Sequence, residues 1–149
     1  MEEKFYLSEI TLNYKNKILY NNRLKISDSH SAEKIFSNCW KYPIDHRECT
    51  YILLIDGSNN VLGYNLISLG GKSSTIVDIT LILQVAVKVN ASAIILAHNH
   101  PSGVLTASND DKKVTSNLKN ACKIMGIRLL DHLIISSSGY YSFSDEGLI

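Results

Sequence analysis

The run ASAIILA at residues 91–97 constrains the fold more than any other stretch of the chain. It is too short for an ordinary helix and carries no charge on either face. It therefore reads as a strand buried on both sides, at the centre of a sheet. Upstream, CTYILLI at 49–55 is a second apolar, β-branched run. DGSNN at 56–60 is dense in turn formers, and VLGYNLISL at 61–69 reads as the returning strand of a hairpin.

Helical patterns interleave with these strands. Ser29 or Ser31 is a candidate N-cap for a helix with Ile35, Phe36, Cys39 and Trp40 at helical spacing, ended by Pro43. The SST at 73–75 is expected to cap a helix over 77–89, with Ile79, Leu83, Ala86 and Val87 facing the sheet. Ser108 starts a third helix running to about residue 125, where Gly126 stops it. Residues 127–136 and 140–143 supply the last strands. At the N-terminus, FYLSEITL at 5–12 alternates loosely and is expected to be a strand, and residues 13–29 an arm or a second short strand. The pattern predicts an α/β fold, a single-domain mixed sheet flanked by helices. Residues 1–44 would form an arm and helix packed on a domain spanning 45–149.

Fifteen basic and fourteen acidic residues leave a net charge of +1, which argues against a broad electrostatic footprint for nucleic acid or acidic lipid. Cys39, Cys49 and Cys122 are scattered, without C-x-x-C spacing, and read as thiols in a reducing compartment. The N-terminus begins acidic and lacks an apolar signal region. The most apolar stretch, 76–89, is interrupted by Asp78, Gln84 and Lys88 and is too short to span a bilayer. A cytoplasmic protein without membrane association is expected.

Chemistry concentrates in AHNHPSGVLTASNDD, residues 97–111. In extended backbone, side chains two apart share a face, so His98 and His100 point one way and Asn99 the other. Two imidazoles at a strand end can offer nitrogen ligands to zinc, and the returning loop brings Ser108 and Asp111 as candidates for the third position. A carboxylate from Asp111 would complete a His-His-Asp set with a fourth position open to water. The same Ser-x-x-Asp also resembles a helix capping box, and the two roles are compatible. Hydrolysis needs a general base that is not itself a ligand. Glu48, at the mouth of the 49–55 strand, is the best candidate and Asp45 its local competitor; Glu33, Asp56 and Asp78 lie on segments whose facing the sequence leaves open.

The pattern E-x49-H-N-H-P-S-G-x4-S-x2-D, from Glu48 to Asp111, resembles that of the JAMM/MPN (JAB) metalloproteases. With LDHLII and the terminal GYYSFSDEGLI, it is similar to their bacterial RadC branch over about residues 45–149. The resemblance implies a fold related to the cytidine deaminases. It implies His98, His100 and Asp111 as Zn2+ ligands, Glu48 as activator of the metal-bound water, and Ser108 as support for the oxyanion. Longer RadC proteins carry an N-terminal helix-hairpin-helix region that binds DNA; residues 1–44 lack its glycine-punctuated pattern, which weakens the link to DNA repair. Deubiquitinating relatives have Ser or Thr between the histidines and insertions that grip ubiquitin, where this chain has Asn99 and no insertion.

Other signals are weaker. GGKSST at 70–75 ends like a phosphate loop, but the pattern requires glycine at 66, where Leu66 stands. The deaminase signature needs H-x-E and P-C-x-x-C, and neither occurs. His132 reads as a core histidine bonded to a neighbouring carbonyl, and Tyr140 and Tyr141 as cover for a sheet edge. The expected function is a zinc-dependent hydrolase of peptide or isopeptide bonds, acting on a peptide or protein partner. The alternative is a non-enzymatic module for DNA maintenance or protein assembly, with a structural or vacant metal site.

Overall fold

The computed structural model describes residues 8–71 and 76–149. Its centre is a five-stranded mixed sheet in the order β2-β1-β3-β4-β5. The strands are β1 (Cys49–Ile55), β2 (Val61–Leu69), β3 (Ala93–Asn99), β4 (Arg128–Ser136) and β5 (Gly139–Ser142). Residues 93–97 of the expected 91–97 strand lie in β3, which starts two residues later and runs on to Asn99 in the middle position, and every residue of β1 and β3 is buried. β1 pairs antiparallel with both β2 and β3, while β3 and β4 run parallel, joined by a crossover through a helix. β5 closes the far edge as an antiparallel hairpin partner of β4, so Tyr140 and Tyr141 sit on the edge strand itself.

Helices cover both faces, as burial of the central strands demands. On one face α1 (Ser29–Cys39) packs Ala32 and Phe36 against Tyr51, Leu53, Ile95, Ala97 and Leu133. On the other, α2 (Ile79–Lys88) and α3 (Asn109–Ile124) pack Ile82, Ala86, Leu118 and Cys122 against Ile52, Leu54, Ile94 and Leu96. Because successive side chains alternate, neighbouring residues of β3 serve two different cores.

The caps differ from the sequence expectation in instructive ways. Asp28, not Ser29 or Ser31, caps α1: its carboxylate accepts from the Ser31 amide at 2.7 Å, and Ser31 Oγ accepts from the Asp28 amide at 3.1 Å. Both serines lie inside the first turn, and the carboxylate one step earlier satisfies the free amide. Asp78 caps α2, accepting from the Thr80 amide at 2.8 Å and the Leu81 amide at 3.4 Å. The expected cap at 73–75 lies outside the described residues. Ile79, Leu83 and Ala86 pack toward the sheet as expected and Ile82 joins them, while Val87 is 45% exposed instead of packed. α3 ends as expected, with Gly126 at φ +69°, the left-handed conformation that stops a helix.

The expected strand at 5–12 is not formed over its described part. Residues 8–12 have no secondary structure, and Ile10 and Leu12 are 90% and 74% exposed. Alternation stabilises a strand only where a partner ladder and a covering layer exist, and this segment has neither. The arm that follows holds a single 3-10 turn (Tyr20–Asn22) and touches the sheet through a Lys25–Asn60 bridge. No helix among the described residues is long and apolar enough to cross a membrane.

Candidate metal centre

The site forms where β3 leaves the sheet. His98 lies in β3 opposite Thr50 of β1, so both point to the α3 face. His100 follows two residues later on the same face, its amide bonded to the Ile135 carbonyl at 2.9 Å. The chain then turns through Pro101 and Gly103, the latter at φ +82° where a β-carbon would be strained. The turn delivers Ser108 to the N-cap of α3. Ser108 Oγ accepts from the Asp111 amide at 3.1 Å and the Asp111 carboxylate accepts from the Ser108 amide at 2.8 Å, so the capping box exists. It also fixes the carboxylate beside the histidines: Asp111 Oδ1 lies 3.1 Å from His98 Nε2, and Oδ2 lies 3.5 Å from His100 Nε2. One Ser-Asp pair thus caps the helix and aims the carboxylate.

The two Nε2 atoms are 3.0 Å apart. Among the described residues, His98, His100 and Asp111 form a cluster whose ligand atoms all lie within 4.8 Å of one another. Tetrahedral ligands at about 2.0–2.1 Å from zinc would be separated by about 3.3 Å, a spacing that the 3.0, 3.1 and 3.5 Å contacts bracket. The donor set also fits: two imidazole nitrogens and one carboxylate leave a tetrahedral ion one open position. His100 Nδ1 sits 2.7 Å from the Val104 carbonyl. A carbonyl only accepts, so Nδ1 carries the proton and the neutral ring presents a bare Nε2 to the cluster.

The three groups also shift one another's protonation. Burial pushes the Asp111 carboxyl up, but hydrogen bonds from His100 and His98, donated when the rings carry a second proton on Nε2, outweigh it and hold it well below the usual carboxylate range. The Asp111 hydrogen bond in turn raises His100, against the opposing effect of burial.

Glu48 precedes β1 and continues its register, so its side chain shares the face of Thr50 and His98. It lines the same cavity as the three cluster residues without belonging to the cluster, and is 9% exposed. Burial raises its carboxyl, Asp111 adds to the rise, and His98 and His100 oppose it. Its competitor Asp45 does not line the cavity, and neither do Glu33, Asp56 or Asp78; Asp56 instead organises the β1–β2 turn and pairs with Arg23 at 3.3 Å. The cavity, of about 440 Å³, is also lined by Ser108, Val77, Pro101, Val104 and Val114.

Sequence reasoning missed the residue that positions Glu48. Asn99, fully buried on the opposite face of β3, accepts from the Cys49 amide at 2.7 Å. Its amide nitrogen donates to the Ile44 and Arg47 carbonyls at 2.6 and 2.8 Å. The partners leave only one way round for the side-chain amide, because an N–H must meet the oxygen and two carbonyls must meet the nitrogen. Asn99 therefore clamps the segment 44–49 that carries Glu48. The Glu48 backbone is held from the other side by Gly70 and Gly71, at 2.8 and 2.9 Å.

His132 is buried as expected, but its ring is bonded to side chains and not to a neighbouring carbonyl. Nε2 lies 2.8 Å from His98 Nδ1, and Nδ1 lies 2.6 Å from Thr115 Oγ1. Pairing of Leu96 with His132 across β3 and β4 puts the ring directly beneath His98.

A profile of the RadC-like JAB domain matches residues 26–148. The chain belongs to the RadC-like JAB family. The match starts at residue 26 and so takes in α1 as well as the sheet. A UPF0758 protein of Thermotoga maritima is 36% identical over 117 residues, covering 78% of this chain and 53% of the relative. One from Porphyromonas gingivalis is 45% identical over 104 residues, covering 69% and 46%. One from Aquifex aeolicus is 41% identical over 105 residues, covering 70% and 46%. This RadC-like JAB chain spans about half the length of the curated relatives it matches. Its mixed sheet flanked by three helices is the expected JAB architecture.

Proposed function

We propose that this RadC-like JAB domain is a zinc-dependent hydrolase of peptide or isopeptide bonds. The observation that carries the reading is the position of Glu48. A carboxylate with 49 residues between it and His98 faces the same cavity as the His98, His100 and Asp111 cluster, yet stands outside it. His98, His100 and Asp111 would hold the ion. Zinc bound there would supply Lewis acidity and bring the pKa of a water down toward about 7.

The residues of the chain do the rest. The Glu48 carboxylate takes a proton from the attacking water and returns it to the leaving amine. Its burial favours this, because a raised pKa brings a carboxylate closer to the pH at which it must both accept and release a proton. Ser108 Oγ spends a lone pair on the helix cap, leaving its hydroxyl proton free to donate to a developing oxyanion. The described lining contains no Lys or Arg but includes three carboxylates, Glu48, Asp110 and Asp111. Such a cavity repels phosphate esters and accepts a neutral amide, and Val77, Val104 and Val114 suit an aliphatic side chain beside the scissile bond.

The test is elemental analysis together with hydrolysis of a library of internally quenched peptides. Wild type is expected to hold about one zinc per chain, and a His98→Ala/His100→Ala double variant to lose it. Glu48→Gln is expected to keep the metal and lose hydrolysis. Loss of metal in Glu48→Gln would make Glu48 a ligand or a structural group. Zinc unchanged by the double substitution would overturn the site, and zinc without cleavage of any library member would favour the non-enzymatic module.

A further inference from the structure

We propose that His132, backed by Thr115, is a positioning residue that holds His98 in the tautomer whose Nε2 is free to bind metal. The inference rests on the metal-site reading above. It follows from counting protons along one chain of buried hydrogen bonds. Thr115 Oγ1 lies 2.6 Å from the Asp111 backbone carbonyl and donates to it, since a carbonyl cannot donate. With its only proton committed, the hydroxyl can do nothing but accept from His132, 2.6 Å away, so His132 carries its proton on Nδ1. The neutral His132 ring then offers a bare Nε2, and His98 Nδ1, 2.8 Å from it, must be the donor. In the neutral ring that leaves the lone pair on His98 Nε2, the atom 3.1 Å from Asp111 Oδ1 and 3.0 Å from His100 Nε2, and any proton held there toward the carboxylate is the one a metal ion displaces.

Two routes thus impose the same tautomer on the two strand-end histidines. For His100 the backbone carbonyl of Val104 does it directly. For His98 a relay does it, and the relay begins at the backbone of Asp111, itself the third member of the cluster. The register of β3 against β4 and the first turns of α3 are read together at one ring. His132 and Thr115 are 1% and 3% exposed, so water does not substitute for a missing partner. The His132 ring also stacks on Phe143 at 4.7 Å and 13°, which gives it a packing role that the test must separate from the relay.

His132→Phe keeps the flat ring and the stacking but cannot accept a hydrogen bond. His132→Gln loses the ring but offers an oxygen to His98 Nδ1–H. Thr115→Val keeps shape and removes the acceptor, which frees His132 to protonate Nε2 and push the His98 proton onto its metal-facing nitrogen. Titration of each full-length metal-free protein with Co2+, followed by visible absorption, reads affinity. Near-UV circular dichroism checks folding. The relay predicts losses of about 10- to 100-fold for His132→Phe and Thr115→Val, with His132→Gln nearer to wild type. Long-range 1H–15N correlation spectra of the metal-free wild type, taken at alkaline pH, are expected to show the His98 proton on Nδ1.

A packing role alone predicts the reverse order, with phenylalanine better than glutamine, and that order overturns the proposal. So does a wild-type His98 proton on Nε2. Should His132→Phe fail to fold, Thr115→Val with undiminished affinity is sufficient to overturn it. Failure of the wild type itself to bind Co2+ would instead refute the metal-site reading, and the relay with it.

Discussion

Replacing Asn99 with alanine removes three hydrogen bonds at once from the junction of β1 and β3. The Cys49 amide is in a fully buried residue and would be left without an acceptor, at a cost of about 1–3 kcal/mol. The Ile44 and Arg47 carbonyls belong to half-buried residues, where water can replace part of what is lost, so each adds roughly 0.5–1 kcal/mol. The sum, about 2–5 kcal/mol, is a large part of the roughly 5–15 kcal/mol that holds a domain folded. Urea unfolding should show that loss, with a fall in melting temperature of roughly 5–15 °C. The metal cluster does not use Asn99, so zinc content should stay near one per chain while hydrolysis falls as Glu48 loses its anchor. Asn99→Asp sharpens the test: it keeps the acceptor for Cys49 but turns a carboxylate on two carbonyls, and at neutral pH should be no more stable than Asn99→Ala. A ΔΔG below about 0.5 kcal/mol, within ordinary surface-substitution effects, would refute the clamp. So would Asn99→Asp with wild-type stability.

Further outcomes follow from the same geometry. Ser108→Ala should cost about 0.5–2 kcal/mol through the lost cap, and should lower kcat by roughly 10²–10³ through the lost oxyanion donor; an unchanged kcat would leave Ser108 a cap alone. Asp78→Ala should destabilise by about 0.5–2 kcal/mol in urea unfolding, and a neutral result would mean that another group caps α2. Metal affinity should weaken on acidification, because the proton that Asp111 helps His100 to hold must leave before the ring coordinates. Calorimetry in buffers of different ionisation enthalpy reads this directly, and proton release that does not change between about pH 6 and 8 would contradict it. Phe36→Ala should cost about 3–5 kcal/mol, since this fully buried ring joins α1 to the sheet; a loss under 1 kcal/mol would mean that the face repacks.

What the sequence made legible was local or periodic. The β1–β2 hairpin, the central place of β3, the end of α3 at Gly126 and the convergence of Asp111 with two alternate histidines all follow from patterns within about twenty residues of chain. The proximity of Glu48 was legible only on condition that β1 neighbours β3, a fact about sheet order. Missing altogether were the partners of Asn99 and His132, which lie 50 or more and 17 to 34 residues away. Alternation says that Asn99 faces away from the histidines, but no periodicity says that an amide and two carbonyls wait there. The caps of α1 and α2 were misplaced for a smaller reason: serines and a threonine compete with nearby aspartates as N-caps, and only the backbone geometry of the first turn decides between them.

The tripeptide His98-Asn99-His100 links the two sides of the sheet, with the clustered histidines on one face and the clamp on the Glu48 segment on the other. A slip of β3 by one residue would turn the imidazoles toward the Cys49 amide and present the carboxamide to the cavity, exchanging every side chain at once. A one-residue slip therefore loses the cluster and the clamp on the Glu48 segment together. For anyone building variants of this domain, retained metal binding reports that the two histidines still face the cavity, and a one-residue insertion or deletion ahead of them in β3 is excluded by the same measurement that scores the site.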